Sequence, residues 1–252
     1  MTDLMTGDII RIAMWSGPRN ISTAMMRSFE NRADTMVVDE PFYAAFLKES
    51  GLDHPGRDLI LKEQPISWQA VVDDLLAPLP TGKRIFYQKH MCHHMLPSFG
   101  LDWTDDFRNA FLVRDPRHIL ASYVKSRPDV TLEDLGVERQ LEIFRMIADR
   151  EGKAPPVIDT AEVQAAPKET LTRLCAALDI PFDAAMLSWP KGPRDSDGVW
   201  ASWWYAGVEQ STGFAPPNDA ARTAEFNSLD DDLKRIADAA MPIYEEMSRY
   251  RV

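Results

Sequence analysis

Three short groups of residues in this 252-residue chain hold side chains that could do chemistry. The first is Trp15-Ser16-Gly17-Pro18-Arg19-Asn20-Ile21-Ser22-Thr23. It joins an apolar run, Ile9 to Met14, to a stretch where Ile21, Met25 and Phe29 recur every four residues. That spacing predicts a strand, a tight turn and a helix. The first N–H groups of a helix lack partners, and the macrodipole adds positive charge there, so such a junction can hold an anion. Gly17 permits the turn, Arg19 brings fixed charge, and Ser22 and Thr23 bring hydroxyls. The residues read as a phosphate or sulfate cradle; an ordinary junction with a solvated arginine is the other reading. The ATP-type pattern G-x-x-x-x-G-K-[ST] is absent, with no second glycine and no lysine before the hydroxyl pair. The second group is Arg114, at the end of the apolar run Asn109 to Val113, with Ser122 two helical turns further on. A strand-end guanidinium and a helical hydroxyl can bracket a second anion, unless Arg114 pairs with Asp115. The third is Gln88-Lys89-His90 with His93 and His94. Imidazole titrates near neutrality and suits general-base work. The H-x-x-H-H pattern could also bind a metal, but no carboxylate or cysteine set completes it.

The elements that must position these groups alternate. Short apolar runs at Thr35–Asp39, Arg84–Gln88, Asn109–Val113 and Val157–Asp159 read as strands. Between them the spacing predicts helices over Phe42–Lys48, Ser67–Leu76, from Pro116 through Val124, over Leu132–Arg150 behind a Thr131/Asp134 cap, and over Lys168–Leu178. Residues 51–65 read as loop, and Asp230–Tyr250 as a helix that Pro242 kinks or splits. Between Trp189 and Pro217 periodicity is lost while aromatics, glycines and prolines accumulate, which marks a functional segment. Strands alternating with helices predict an α/β class: a single domain over 1–252, a mostly parallel sheet flanked by helices, with 189–217 as a lid or loop. In such sheets ligands sit at the carboxyl ends of the strands.

Composition narrows the partners. A net charge of −11 repels nucleic acid and anionic membrane surfaces, so an anionic ligand must be held by a local basic pocket, and the acceptor is expected to be small and neutral or cationic. The first eight residues lack a secretory pattern, no apolar run is long enough to span a membrane, and Cys92 and Cys175 are isolated. A cytoplasmic setting is expected; the oligomeric state is not legible.

Taken together, three segments resemble the sulfotransferase family that uses 3′-phosphoadenosine 5′-phosphosulfate (PAPS). The opening loop is similar to the family's 5′-phosphosulfate loop. Phe111-Leu112-Val113-Arg114-Asp115-Pro116-Arg117-His118-Ile119-Leu120-Ala121-Ser122-Tyr123 is similar to its 3′-phosphate motif, and Tyr87-Gln88-Lys89-His90 with Met95-Leu96-Pro97-Ser98-Phe99 to its base-bearing strand end. Thr172 to Phe182 resembles its last core helix. The resemblance covers about two thirds of the chain, Ile9 to Phe182. It implies a P-loop-NTPase-like sulfotransferase fold, PAPS as cofactor with PAP as product, and no metal. It implies His90 as base and Arg19 as the group that offsets charge on the leaving oxygen. Ser16, Gly17, Pro18, Arg19, Asn20, Ile21, Ser22 and Thr23 would hold the phosphosulfate, and Arg114 and Ser122 the 3′-phosphate. Gly198-Val199-Trp200 is similar to the core of the family's late cofactor loop, with Arg194 as the basic residue beside it. Two positions depart from the pattern. The family has lysine where Arg19 stands, and a second lysine two residues before the histidine, where this chain has Gln88 beside Lys89. Neighbouring strand residues point to opposite faces, so Lys89 does not take that place by adjacency. Trp203, Trp204 and Tyr205 could form a cation–π acceptor pocket or simply pack the lid. An ATP-dependent small-molecule kinase and a catalytically inactive PAP- or PAPS-binding regulator are the competing readings.

Overall fold

A computed structural model describes residues 9–125, 127 and 129–252. Five strands form one sheet: β1 (Ile10–Ser16), β2 (Thr35–Asp39), β3 (Ile85–Met91), β4 (Arg108–Val113) and β5 (Val157–Asp159). Their order is β2-β3-β1-β4-β5, and every pairing is parallel. Parallel strands are covered on both faces, which explains why all seven residues of β3 are buried, polar ones included.

The helices in chain order are α1 (Ser22–Glu30), α2 (Tyr43–Ser50), α3 (Arg57–Glu63), α4 (Trp68–Leu76), α5 (Pro116–Tyr123), α6 (Leu132–Leu135), α7 (Val137–Glu151), α8 (Thr160–Ala165), α9 (Pro167–Ala177), α10 (Ala201–Trp204), α11 (Ala206–Glu209), α12 (Asp219–Asn227) and α13 (Asp231–Ser248). Strand parity divides the core in two. Ile12 and Met14, Ile85 and Tyr87, and Ala110 and Leu112 meet α1 and α9 through Met25, Phe29, Leu171 and Leu174. Ala13 and Trp15, Phe86, and Phe111 and Val113 meet α4, α7 and α13 through Val71, Leu75, Phe144 and Met247.

Several expectations need correction. Residues 51–65 are not all loop, since α3 runs from Arg57 to Glu63 and buries Ile60. The long helix expected over Leu132–Arg150 is two helices. Thr131 and Asp134 form a complete capping box, but Gly136 adopts φ 65° after one turn and the chain restarts as α7. A side chain at Gly136 would press on His93, with Cβ 3.2 Å from Cβ. The last helix runs unbroken through Pro242, and α12 was not expected at all. The expected strand Arg84–Gln88 extends to Met91, which decides where Lys89 and His90 point.

Candidate active site

β1 connects towards β2 and β4 towards β5, so the carboxyl ends of β1 and β4 flank a topological switch point, where open α/β sheets bind ligands. A cavity of about 510 Å³ opens there. The turn after β1 supplies Pro18 to Thr23, the end of β2 supplies Glu40, β3 supplies Lys89 and Met91, and the end of β4 supplies Arg114. Ser122 and Tyr123 of α5, Arg222 of α12, and Trp204, Tyr205 and Phe214 of the 189–217 segment complete the walls.

Arg19 and Ile21 of the turn have left-handed backbones, φ 60° and 53°; turns of this kind can present successive N–H groups to an anion. No side chain caps α1; its first internal backbone bond runs from Met25 N to Ile21 O, leaving the N–H groups before it open. The turn is braced from behind, with Asn20 donating to Leu112 O at 3.2 Å and accepting at its carbonyl from Thr160 Oγ1 at 3.2 Å. Gly17 has no room for a side chain, since a Cβ would lie 2.6 Å from Leu135 O.

The structure brings the first two sequence groups into direct contact. The Arg114 guanidinium donates to the Arg19 carbonyl, and Arg19 Nε donates to Ser122 Oγ at 3.0 Å. Arg222 joins them, and no described carboxylate lies in ion-pair range of Arg19, Arg114 or Arg222. Burial, then the neighbouring charges of Arg222 and Arg19, pull Arg114 down to about 10. Burial lowers Arg19 too, with Arg222 adding to it. Of the four arginines lining the cavity, Arg127 pairs with Asp134, while Arg19, Arg114 and Arg222 have no described carboxylate within 4 Å and repel one another. Arg114 therefore does not pair with Asp115, which takes Arg117 as its partner.

Strand parity settles the third group. Gln88 and His90 point to the α4/α7 face: His90 Nε2 lies 3.1 Å from Gln88 Oε1, and the ring stacks on Trp15 at 4.6 Å between centroids. His90 does not line the cavity. Lys89 points the other way, and its Nζ donates to Thr23 Oγ1 at 3.1 Å, Asp39 Oδ1 at 2.8 Å, Glu40 Oε1 at 2.7 Å and Tyr205 Oη at 2.7 Å. Lys89 thus touches the start of α1, while Gln88, at the position where the resemblance places a lysine, faces the other way. Burial opposes its charge, but Asp39 and Glu40 outweigh that and hold its pKa well above normal. Glu40 is itself held above the usual carboxylate range by burial and by Asp39, against the pull of Lys89. Its φ is 41°, so three of the four described non-glycine residues with left-handed backbone line this one cavity, and such strain clusters at functional sites.

Beyond Glu40 the wall is aromatic. Tyr43 stacks on His94 at 4.3 Å and bonds to His54, and Trp204 lies 5.8 Å from His54. His94 Nδ1 is 3.9 Å from Glu40 Oε2. Burial lowers the pKa of these imidazoles, His93 to about 4 and His94 well below normal. No group of three or more histidine, cysteine, aspartate or glutamate residues with metal-holding geometry occurs among the described residues.

Three expected site residues lie elsewhere. Ser16 is buried, with Oγ on Met91 Sδ at 3.7 Å, and neither it nor Gly17 lines the cavity. Arg194 sits outside it, with Nε 3.8 Å from Glu30 Oε2 and its N–H bonded to Asp197 at 2.8 Å. The neighbouring Asp197 and Gly192 instead clamp the segment onto α1 through Arg27. The sequence reading missed Glu40 and Arg222, and gave Tyr205 only as part of an aromatic pocket or lid. Glu40 had a signal, as a carboxylate at a strand's carboxyl end; Arg222 had none.

The burial of His90 has a measurable consequence. Burial holds it at about 3, against 6.5 when exposed. Between these values the unfolded chain binds a proton that the folded chain refuses, so stability falls as pH drops from 6.5 towards 3. His90→Gln is expected to make that decline shallower in thermal melts from pH 7 to 4. An unchanged pH dependence would contradict a neutral, buried imidazole.

Known proteins share this architecture. The sulfotransferase domain model matches residues 10–251. The sulfotransferase domain from the curacin biosynthetic pathway superposes with a TM-score of 0.51 at 16% identity, covering 93% of this chain and 98% of that one. The sulfotransferase domain from the Synechococcus PCC 7002 olefin synthase does so at 0.53 and 16%, covering 95% and 98%. Two Arabidopsis thaliana proteins, branched-chain-amino-acid aminotransferase-like proteins 1 and 2, are 39% and 36% identical over 233 residues, 92% of this chain. The chain spans 40% of the length of each of them. Matched from its first strand almost to its last residue, the chain belongs to the sulfotransferase domain family.

Proposed function

We propose that the chain transfers a sulfuryl group from PAPS to a hydroxyl or amine of a small-molecule acceptor. The observation that carries this is the trio Arg19, Arg114 and Arg222, with no described carboxylate within 4 Å, beside an uncapped helix start. Such a wall suits a ligand with two separated anionic groups. The residues fit a 5′-phosphosulfate on Pro18 to Thr23 and a 3′-phosphate on Arg114, Ser122 and Arg222, while Ser16, Gly17 and Arg194 are left out of the binding set. Guanidinium selects phosphate by its planar donor fork.

Bound PAPS supplies the sulfuryl group and leaves as PAP. The S–O bond to the donor phosphate would break as a new S–O or S–N bond formed to the acceptor hydroxyl or amine, and the acceptor's proton would go to a base. We assign that proton to Glu40 in place of His90. Glu40 lines the cavity beside Lys89, and its raised pKa brings a carboxylate closer to the range where general bases work well. Lys89 and Arg19 hold the negative charge that develops on the leaving phosphate, as fixed charges do in phosphoryl transfer. Because His90 lies on the opposite face of β3, His90→Gln is expected to retain turnover within a few-fold.

Calorimetry with PAP, ADP and ATP plus Mg²⁺ tests the donor. Tight binding of PAP alone supports PAPS, whereas preference for ATP would favour the kinase reading. Incubating the protein and PAPS with cell extract, and searching for a mass gain of one sulfonation, then separates an enzyme from a regulator.

A further inference from the structure

The segment over the cavity is fastened to the sheet through one hydroxyl. Tyr205, buried between α10 and α11, donates to Asp39 Oδ2 at 2.5 Å. It accepts from Lys89 Nζ at 2.7 Å and from Trp200 Nε1 at 3.2 Å. The direction of each bond is fixed, because ammonium and indole only donate and a carboxylate only accepts. Asp39 Oδ2 also accepts the Gly198 N–H at 3.0 Å, so the same carboxylate ties down two points of the segment. The Tyr205 ring additionally faces the ammonium, with Nζ 5.0 Å from its centroid.

Lys89 is over-supplied with acceptors. Four oxygens, on Thr23, Asp39, Glu40 and Tyr205, lie within 3.1 Å of an ammonium that has three N–H donors. Where that ammonium points then depends on which acceptors are satisfied by other groups. Asp39 Oδ2 belongs to the carboxylate that already holds Lys89 through Oδ1, and Tyr205 and the Gly198 N–H occupy it.

Resting on the reading of the cavity as a PAPS site, we propose that Tyr205 is a positioning residue that holds Lys89 towards the cofactor cradle. By giving Asp39 a third donor, beside Lys89 and the Gly198 N–H, it keeps a Lys89 N–H on the Thr23 side, where a sulfuryl group would lie. Its hydrogen bonds involve none of Arg19, Arg114 and Arg222, so the phosphates should be bound without its help.

The test compares PAPS with PAP, which differ only in the sulfuryl group, by calorimetry on wild type, Tyr205→Phe and Lys89→Met. Phenylalanine keeps the ring over Lys89 and removes only the hydroxyl. In Tyr205→Phe, PAP affinity is expected to stay within about twofold while PAPS affinity falls about tenfold, the scale of one hydrogen bond to a charged group. Lys89→Met should shrink the PAPS-to-PAP ratio at least as far. An unchanged ratio in folded Tyr205→Phe, or equal loss of both ligands, would overturn the positioning role. Should wild type bind neither ligand, the donor reading fails and this inference falls with it. The Tyr205→Phe ratio decides by itself even if Lys89→Met does not fold.

Discussion

Glu40→Gln is expected to lower sulfuryl transfer by about 10³-fold while leaving PAP affinity unchanged, within the range that a positioned general base contributes. Glutamine keeps the shape and still accepts an N–H from Lys89, so the loss isolates the proton. The variant should not be less stable. Lys89 has two buried carboxylates for one positive charge, at 2.8 and 2.7 Å, and removing the second relieves repulsion between Asp39 and Glu40. Lost turnover with an equal or higher melting temperature is therefore the signature. Turnover within tenfold of wild type, measured as PAP release once an acceptor is in hand, would remove Glu40 from the proton path.

The second large effect is on the cofactor. Arg114→Ala is expected to weaken PAP binding at least 10²-fold, since guanidinium–phosphate contacts are charge-assisted and Arg114 also braces the Arg19 carbonyl. Lysine at that position should recover little, because a point charge cannot reproduce the fork. Arg222→Ala should cost about tenfold and make binding less sensitive to salt. Without ligand, Arg222→Ala should melt no lower than wild type, because it relieves repulsion within the trio, whereas Arg114→Ala also loses the bond to the Arg19 carbonyl. Calorimetry at two salt concentrations and ligand-free melting curves check both statements; wild-type PAP affinity in Arg114→Ala would refute the anion site.

Much of this was legible in the residues. The apolar run, turn and helix from Ile10 to Glu30 follow from periodicity, and Arg114 at the end of β4 follows from an apolar run that stops at a guanidinium. The expectations that failed share a physical cause. Strand ends are set by tertiary pairing: β3 continues to Met91 because β1 accompanies it as far as Ser16. Three added residues place Lys89 and His90 inside a strand, where one position decides which face a side chain reaches. His90 had the right chemistry on the wrong face. Arg194 failed for another reason. Between Trp189 and Pro217 no periodicity fixes direction, so nothing in the sequence indicates that Arg27 captures Asp197 and draws Arg194 away towards Glu30. Arg222 lies on α12, which has only one buried residue, Phe226, and thus too faint a pattern to read.

The left-handed residues at Arg19, Ile21 and Glu40 bear on how this protein could change. Glycine would adopt those angles without penalty, and each replacement would relax the free chain. Each would also delete a side chain from the cavity wall. A lineage selected only for robustness would drift towards glycine there, so the persistence of an arginine, an isoleucine and a glutamate in a relative marks it as still under selection for its ligand.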